Sequence, residues 1–288
     1  MSDPNRSIAF QGVPGAYSHL ACLAVRPDLV PLPCGSFDEV FDAVEEGRAL
    51  VAAVPVENSQ AGRVVDNHRL LPARSLSIVG EHYQPIHHQL LGVPGAALSD
   101  VRAVRSHPQA LAQCHAYLRR RGWEAVAWSD TSAAARDVAR LGDPSIAALA
   151  STIAGELWGL VPLDRDVEDD ANNTTRFLVL ARAASPPGLF EGPAITSVVF
   201  RVRHLPAALY KALGGFATNG INLLKIESYQ VGGAFRWTQF AVDFAGHPAE
   251  PAVANALEEL RFFSTELRVL GTYPAHPWRR EQERGQRA

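Results

Sequence analysis

Five short stretches hold most of the residues able to do chemistry. "GVPGAYSH" (12–19), "ENSQAG" (57–62), "SHPQA" (106–110) and "SDTSAA" (129–134) are small and hydroxylic, and each follows an apolar run and reads as the opening of a helix. Helix N-termini aim unsatisfied N–H groups and partial positive charge at whatever lies before them. Four of them at one crevice would suit a small polyanion such as a dicarboxylate. Taken singly, each is equally an ordinary cap. The fifth stretch, "NNTTRF" (172–177), follows the acidic "DRDVEDD" and enters the strand-like "RFLVLARA". Its amides and hydroxyls make either a turn, bonding their own backbone, or a polar edge on a ligand site with one fixed cation.

The same reading excludes several chemistries. There is no GxxxxGK[ST] and no GxGxxG, so phosphate-loop and dinucleotide fingerprints are absent. His87 and His88 are neighbours that face opposite ways on a strand, and no HExxH spacing occurs, so no metal site is expected. Ser18-His19 and Ser106-His107 are adjacent pairs that do not face each other productively. Lys211 and Lys225 are the only lysines, which leaves little room for lysine chemistry. Cofactor-free chemistry on a small anion is what remains.

The elements that must position these loops follow from periodicity. Residues 7–11, 50–56, 101–106, 124–129 and 145–150 read as strands, and 17–25, 37–47, 108–121, 131–141 and 151–158 as helices. Ser36 and Glu39 form a capping box, and Pro108 suits a first helical position. Such alternation predicts parallel sheets covered by helices. The middle stretch from Ser75 to Gly95 reads as two extended strands crossing from one sheet to another. After a Pro/Gly/Ala-rich linker (181–194) the order becomes β-α-β-β-α-β, a ferredoxin-like module with a hairpin turning at Gly232-Gly233. The last ten residues read as a frayed polar tail.

The chain has 288 residues, 47% of them apolar and 20% charged, with a net charge of −3, so neither nucleic acid nor an acidic membrane is an expected partner. Cys22, Cys34 and Cys114 fit neither a disulfide framework nor a zinc site. The start has no apolar signal segment, and with free thiols this implies a reducing, cytoplasmic location.

"GVPGAYSHLA", "VPVENSQAGRV", "SHPQALAQC" and "NNTTRFLVL", in that order and spacing, closely resemble prephenate dehydratases. "LPAALYKALGGFATNGINLLKIES" resembles the ACT regulatory domain of the same enzymes, and the likeness spans about residues 6–275. It implies an α/β catalytic region of two lobes, periplasmic-binding-protein-like with a cleft between them, followed by a ferredoxin-like βαββαβ ACT domain. The implied divisions are a catalytic domain at 1–183, a linker at 184–194, the ACT domain at 195–275 and a polar tail at 276–288. Within the catalytic domain, lobe 1 would be about 6–80 plus 165–183 and lobe 2 about 81–164.

The resemblance also implies the reaction: prephenate loses CO2 and water to give phenylpyruvate, in phenylalanine biosynthesis, with aromatisation as the driving force and no cofactor or metal. Thr175 maps onto the family's donor to the departing hydroxyl. A threonine hydroxyl does not ionise near pH 7, so it would act as a hydrogen-bond donor. Arg176 would hold a carboxylate or pair with the nearby acids, Asn173 would orient the loop, and Phe177 would form wall or core. Asn58, Ser59, Ser106, His107, Thr131 and Ser132, with Tyr17 and Ser18 opposite, would mould the substrate. Glu57 is read as structural. In the ACT region, phenylalanine would bind at an interface between two copies, near Ala207, Ala208, Leu209, Asn219, Gly220, Asn222, Leu223, Glu227 and Ser228, and self-association would give a dimer or tetramer. Relatives often have glycine at Ala207 and Arg-Pro at Tyr229-Gln230, which puts the feedback response in question. Arogenate dehydratase and a non-catalytic amino-acid sensor are the rival readings.

Overall fold

Asp130 shows how local sequence builds the elements of this chain. In a computed structural model describing residues 6–184, 192–203, 205–230 and 238–287, its side-chain oxygen accepts the N–H groups of Ser132 and Ala133 and starts a helix there. Ser36 does the same for Glu39, while the Glu39 carboxylate reaches back to the N–H of Gly35 at 2.7 Å, one residue beyond the expected box.

The first part of the chain runs β1 (Ser7–Gln11), α1 (Tyr17–Val25), β2 (Val30–Cys34), α2 (Phe37–Glu45), β3 (Val51–Asn58), β4 (Gly62–Arg63), α3 (Val65–Ala73) and β5 (Ser77–Pro85). There follow β6 (Gln89–Gly92), β7 (Ala103–Ser106), α4 (Pro108–Gln113), α5 (His115–Arg121), β8 (Glu124–Ala127), α6 (Thr131–Leu141), β9 (Ile146–Ala150), α7 (Thr152–Trp158), β10 (Val161–Asp164) and β11 (Thr174–Ala181). One sheet has the order β2-β1-β3-β11-β5 with β4 on β3, and a second the order β10-β6-β9-β7-β8. The two extended strands expected in the middle stretch are β5 and β6, and they do belong to different sheets. Strands β1 and β3 are apolar on both faces and pair in parallel, as a helix-covered sheet demands. In the second sheet Leu90 and Leu149 pack to one side with Val104 and Leu118, and Leu91 and Ala148 to the other with Ala134 and Val138.

The C-terminal module is β12 (Ala194–Val202), α8 (Ala208–Thr218), β13 (Leu223–Gln230), β14 (Thr238–Ala245), α9 (Pro251–Phe263) and β15 (Ser264–Pro274). Its sheet order, β13-β14-β12-β15, is that of a ferredoxin-like βαββαβ unit, with Phe200, Phe216 and Phe244 at the core. The turn expected at Gly232-Gly233 lies outside the described residues, as do residues 185–191 of the expected linker. The compact units are Met1–Asn67 with His82–Phe177, and His68–Glu81 with Leu178–Ala288.

Three local expectations change. The helix expected over 108–121 breaks at Cys114, whose φ of −115° and ψ of 19° part α4 from α5. Strand β2 was not foreseen because Pro31 and Pro33 disguise it. It is an edge strand, where missing N–H groups are tolerated. The C-terminal stretch read as frayed forms α10 (Pro277–Arg287). There the Arg279 guanidinium grips the fully buried Glu81 carboxylate through Nε at 2.7 Å and Nη2 at 2.9 Å. Among the described residues no helix is long and apolar enough to cross a membrane.

Candidate active site

The polar end of β3 meets the polar start of β11. Asn58 Oδ1 accepts the backbone N–H groups of Gln60 at 3.0 Å and Ala61 at 2.9 Å. That assignment fixes its amide nitrogen as the donor on the other side. Nδ2 gives one bond to Asn173 Oδ1 and one to Thr175 Oγ1, each at 2.9 Å. Thr175 Oγ1 therefore accepts from Asn58 and retains its own proton for another acceptor. Ser59 closes the pair of loops: its hydroxyl donates to Asn172 O at 2.7 Å and accepts the Thr174 N–H at 3.0 Å.

Asn58 and Thr175 border a cleft of about 970 Å³. Of the residues expected at the substrate, the structure brings Tyr17, Ser18, Asn58, His107, Thr131, Thr175 and Phe177 to its walls. Tyr17 O–H stands 2.8 Å from both His87 O and His88 Nδ1. His88 Nε2 lies 2.9 Å from Gln113 Oε1, so the ring is held between Tyr17 and Gln113. Burial pushes the Tyr17 phenol well up, helped by Cys114, Glu168 and Asp166, and holds His88 below its ordinary value. Both are neutral near pH 7. They make a polar, uncharged stretch of the wall of the cleft that Thr175 and Phe177 also line.

The remaining expected residues lie elsewhere. Strand alternation turns Thr175 and Phe177 to the cleft and Arg176 to the opposite face, where it is buried. Ser106 is fully buried and spends its hydroxyl on Leu149 O at 2.6 Å. Ser132 accepts the Trp158 indole N–H and donates to Pro14 O at 2.6 Å. Ser151 repeats that bond to Gly15 O at 2.6 Å, so the two serines clasp the first-strand loop. Gly15 is required there: its φ is +93°, and a Cβ would stand 2.4 Å from Ser132 Oγ. Asn173 and Ser59 shape the loop without lining the cleft, and Glu57 stands across from Arg63 in the β3–β4 pairing.

Sequence reasoning weighed His88 only as a metal ligand and did not single out Gln113, Arg63, Asp130 or Arg136, yet all five line the cleft. Gln113 shares a helix with the noted "SHPQA" loop and could have been found from it. An exposed arginine in an amphipathic helix carries no such signal.

In the C-terminal module Ala207 caps α8 with a φ of +60°, and Ala208 and Leu209 form its first turn. Asn219, Gly220, Asn222 and Leu223 lie at the other end, a helix length of roughly 16 Å away. Glu227 and Ser228 are on the edge strand β13. Glu227 is engaged on both oxygens, by Lys225 Nζ at 3.1 Å and by the Tyr229 hydroxyl at 2.6 Å. The Tyr229 ring stacks on His68 of α3 with centroids 5.8 Å apart.

Fold and cleft thus define an α/β protein with a hydroxyl-bearing site and a βαββαβ module. A prephenate dehydratase family model matches residues 8–185. The chain is 49% identical over 279 residues to a bifunctional N-acyl-homoserine lactone acylase/prephenate dehydratase of Komagataeibacter europaeus, covering 96% of this chain and 98% of the relative. It is 39% identical to arogenate dehydratase/prephenate dehydratase 1 of Arabidopsis thaliana, covering 94% of this chain and 73% of the relative. Among solved structures, the quorum-quenching acylase GqqA superposes with a TM-score of 0.90 at 48% identity, covering 95% of this chain and all of that one. A prephenate dehydratase from Arthrobacter aurescens in complex with L-Phe gives 0.85 at 30% identity, covering 93% and 90%. The chain belongs to the prephenate dehydratase family.

Proposed function

We propose that the chain is a prephenate dehydratase. Prephenate's ring carboxylate leaves as CO2, and the bond electrons move into the ring as the hydroxyl departs at the opposite carbon. With one proton added, that hydroxyl leaves as water and phenylpyruvate remains. The protein must supply a hydrogen bond to the departing oxygen and a dry, shaped wall.

The observation that carries the reading is the Thr175 hydroxyl, which accepts from Asn58 at 2.9 Å and so keeps its own proton for a further acceptor. It lines the same cleft as Phe177 and the neutral Tyr17–His88 pair. A positioned proton donor is typically worth about 10²–10⁴ in rate. Phenylpyruvate formation by wild type and Thr175→Ala tests this. A loss of about two decades or more in kcat with folding intact is expected. Wild-type activity retained by the variant would move the donor elsewhere.

The names of the 49% relative and of the 0.90 structural neighbour favour a second activity, N-acyl-homoserine lactone hydrolysis. Release of homoserine lactone from an acyl derivative, assayed beside prephenate turnover, tests it. The βαββαβ module is the proposed site for phenylalanine. Ala207–Leu209 and Asn219–Leu223 sit at opposite ends of α8, so one small ligand reaches both only where two copies meet. Phenylalanine inhibition and a dimer or larger assembly are the corresponding expectations.

A further inference from the structure

Among the described residues lining the cleft, the side chains of fixed charge are Arg63, Asp130 and Arg136. They are unequal in what they can offer a ligand. Asp130 Oδ1 already takes two N–H groups at the start of α6, from Ser132 at 2.8 Å and Ala133 at 3.0 Å. Arg63 stands opposite Glu57 in the β3–β4 pairing. Arg136 is exposed, and its guanidinium carbon lies over the Trp158 ring, 5.8 Å from the centroid. That ring is held in turn: the indole N–H donates to Ser132 Oγ at 3.0 Å, and Ser132 is anchored to Pro14 O. A long, flexible cation is thus given a fixed platform at the cleft, with its N–H edge left for a planar anion.

We infer that Arg136 is a specificity-determining residue that receives the side-chain carboxylate of the substrate and favours prephenate over arogenate. The inference rests on the proposed reaction. The two compounds share both carboxylates and the ring hydroxyl, and differ where prephenate has a keto group and arogenate an ammonium. Prephenate presents two negative charges with no compensating positive one beside the side-chain carboxylate. Arogenate places its ammonium next to that carboxylate, so a cation holding one repels the other. The acid lining the cleft that could receive the ammonium, Asp130, is drawn toward the helix N-terminus by its two N–H bonds.

The test is kcat/KM for both substrates with wild type, Arg136→Gln and Arg136→Lys, each checked for unchanged thermal unfolding. Wild type should prefer prephenate. Arg136→Gln should lose about 10- to 100-fold in kcat/KM for prephenate, the range for a charge-assisted hydrogen bond. The loss should fall mainly on KM, because the contact exists in ground and transition states alike. Arogenate should lose several-fold less, and Arg136→Lys should restore most of the preference. Equal losses on both substrates, or none on either, overturn the inference. A second reading separates this from a failure of the proposed reaction: calorimetric binding of prephenate in a Thr175→Ala background, with and without Arg136→Gln. Weakened binding there without turnover in wild type would sink the reaction and uphold Arg136. Unchanged binding would sink Arg136 alone.

Discussion

Asn58 Nδ2 donates to Thr175 Oγ1 at 2.9 Å, and the amide cannot be turned over, because Asn58 Oδ1 is committed to two backbone N–H groups. The amide therefore sets the direction of the threonine's own proton. Asn58→Asp keeps the acceptor for Gln60 and Ala61 but turns the donor into a second acceptor. The Thr175 proton is then drawn to the carboxylate and away from the cleft. Phenylpyruvate formation should fall by roughly two decades in kcat, approaching Thr175→Ala. The two changes together should cost little more than either alone, because they remove one device. Additive losses in the double variant would show that the residues act separately.

The Tyr229–Glu227–His68 cluster makes a prediction about acid stability. Burial pushes the Glu227 carboxyl up, but the Tyr229 hydroxyl, His68 and Lys225 outweigh it and hold it below its usual value of 4.5. A carboxyl depressed in the folded state stabilises above its unfolded pKa, and the benefit fades as pH falls through the folded one. Tyr229→Phe removes the hydroxyl's share. Urea unfolding should show the variant weaker by about 1–2 kcal/mol at pH 7, a hydrogen bond to a charged group. The gap should shrink as pH falls below 4.5 and Glu227 takes up its proton. A gap that stays constant with pH would assign the loss to the hydroxyl's contact with His68 Nδ1 at 3.0 Å and not to its bond with the ionised Glu227.

Arg279 and Glu81 make an ordered pair of predictions. The Glu81 side chain is fully buried, while Arg279 is 19% exposed. Arg279→Ala takes both guanidinium bonds from a buried carboxylate that also accepts the His276 N–H at 3.1 Å, which should cost about 3–5 kcal/mol. Glu81→Gln leaves the arginine able to reach water and should cost less, about 1–2 kcal/mol. Denaturant midpoints check the order. The reverse order would mean that α10 is docked by something other than this pair.

What the sequence revealed, and what it hid, divides along physical lines. Strong periodicity placed α6 at Thr131–Leu141 to the residue, because apolar spacing reports burial directly. Residue type alone did not tell which hydroxyls face a ligand. Ser106 and Ser132 look like Thr175 in a string of letters, yet their protons go to carbonyl oxygens within the fold. Strand alternation beside Thr175 could have turned Arg176 away from the cleft, since adjacent strand residues face opposite sides. Arg136 was invisible for the opposite reason. Its meaning lies in Trp158, which packs beneath it from a different helix.

Ala207 supplies the last prediction. It holds a φ of +60° at the start of α8, a conformation that costs a residue with a Cβ about 1–2 kcal/mol. Glycine relieves that cost but loses about 0.4–1 kcal/mol through a more flexible unfolded chain. Ala207→Gly should therefore stabilise the protein by roughly 0.5–1 kcal/mol in denaturant unfolding. The same residue stands in the proposed phenylalanine site, where its methyl narrows the approach to the α8 backbone. If sterics matter there, the glycine variant should also need less phenylalanine for half-inhibition. A gain in stability with an unchanged response would confine the effect of Ala207 to backbone strain. A loss of stability would contradict the strained conformation itself.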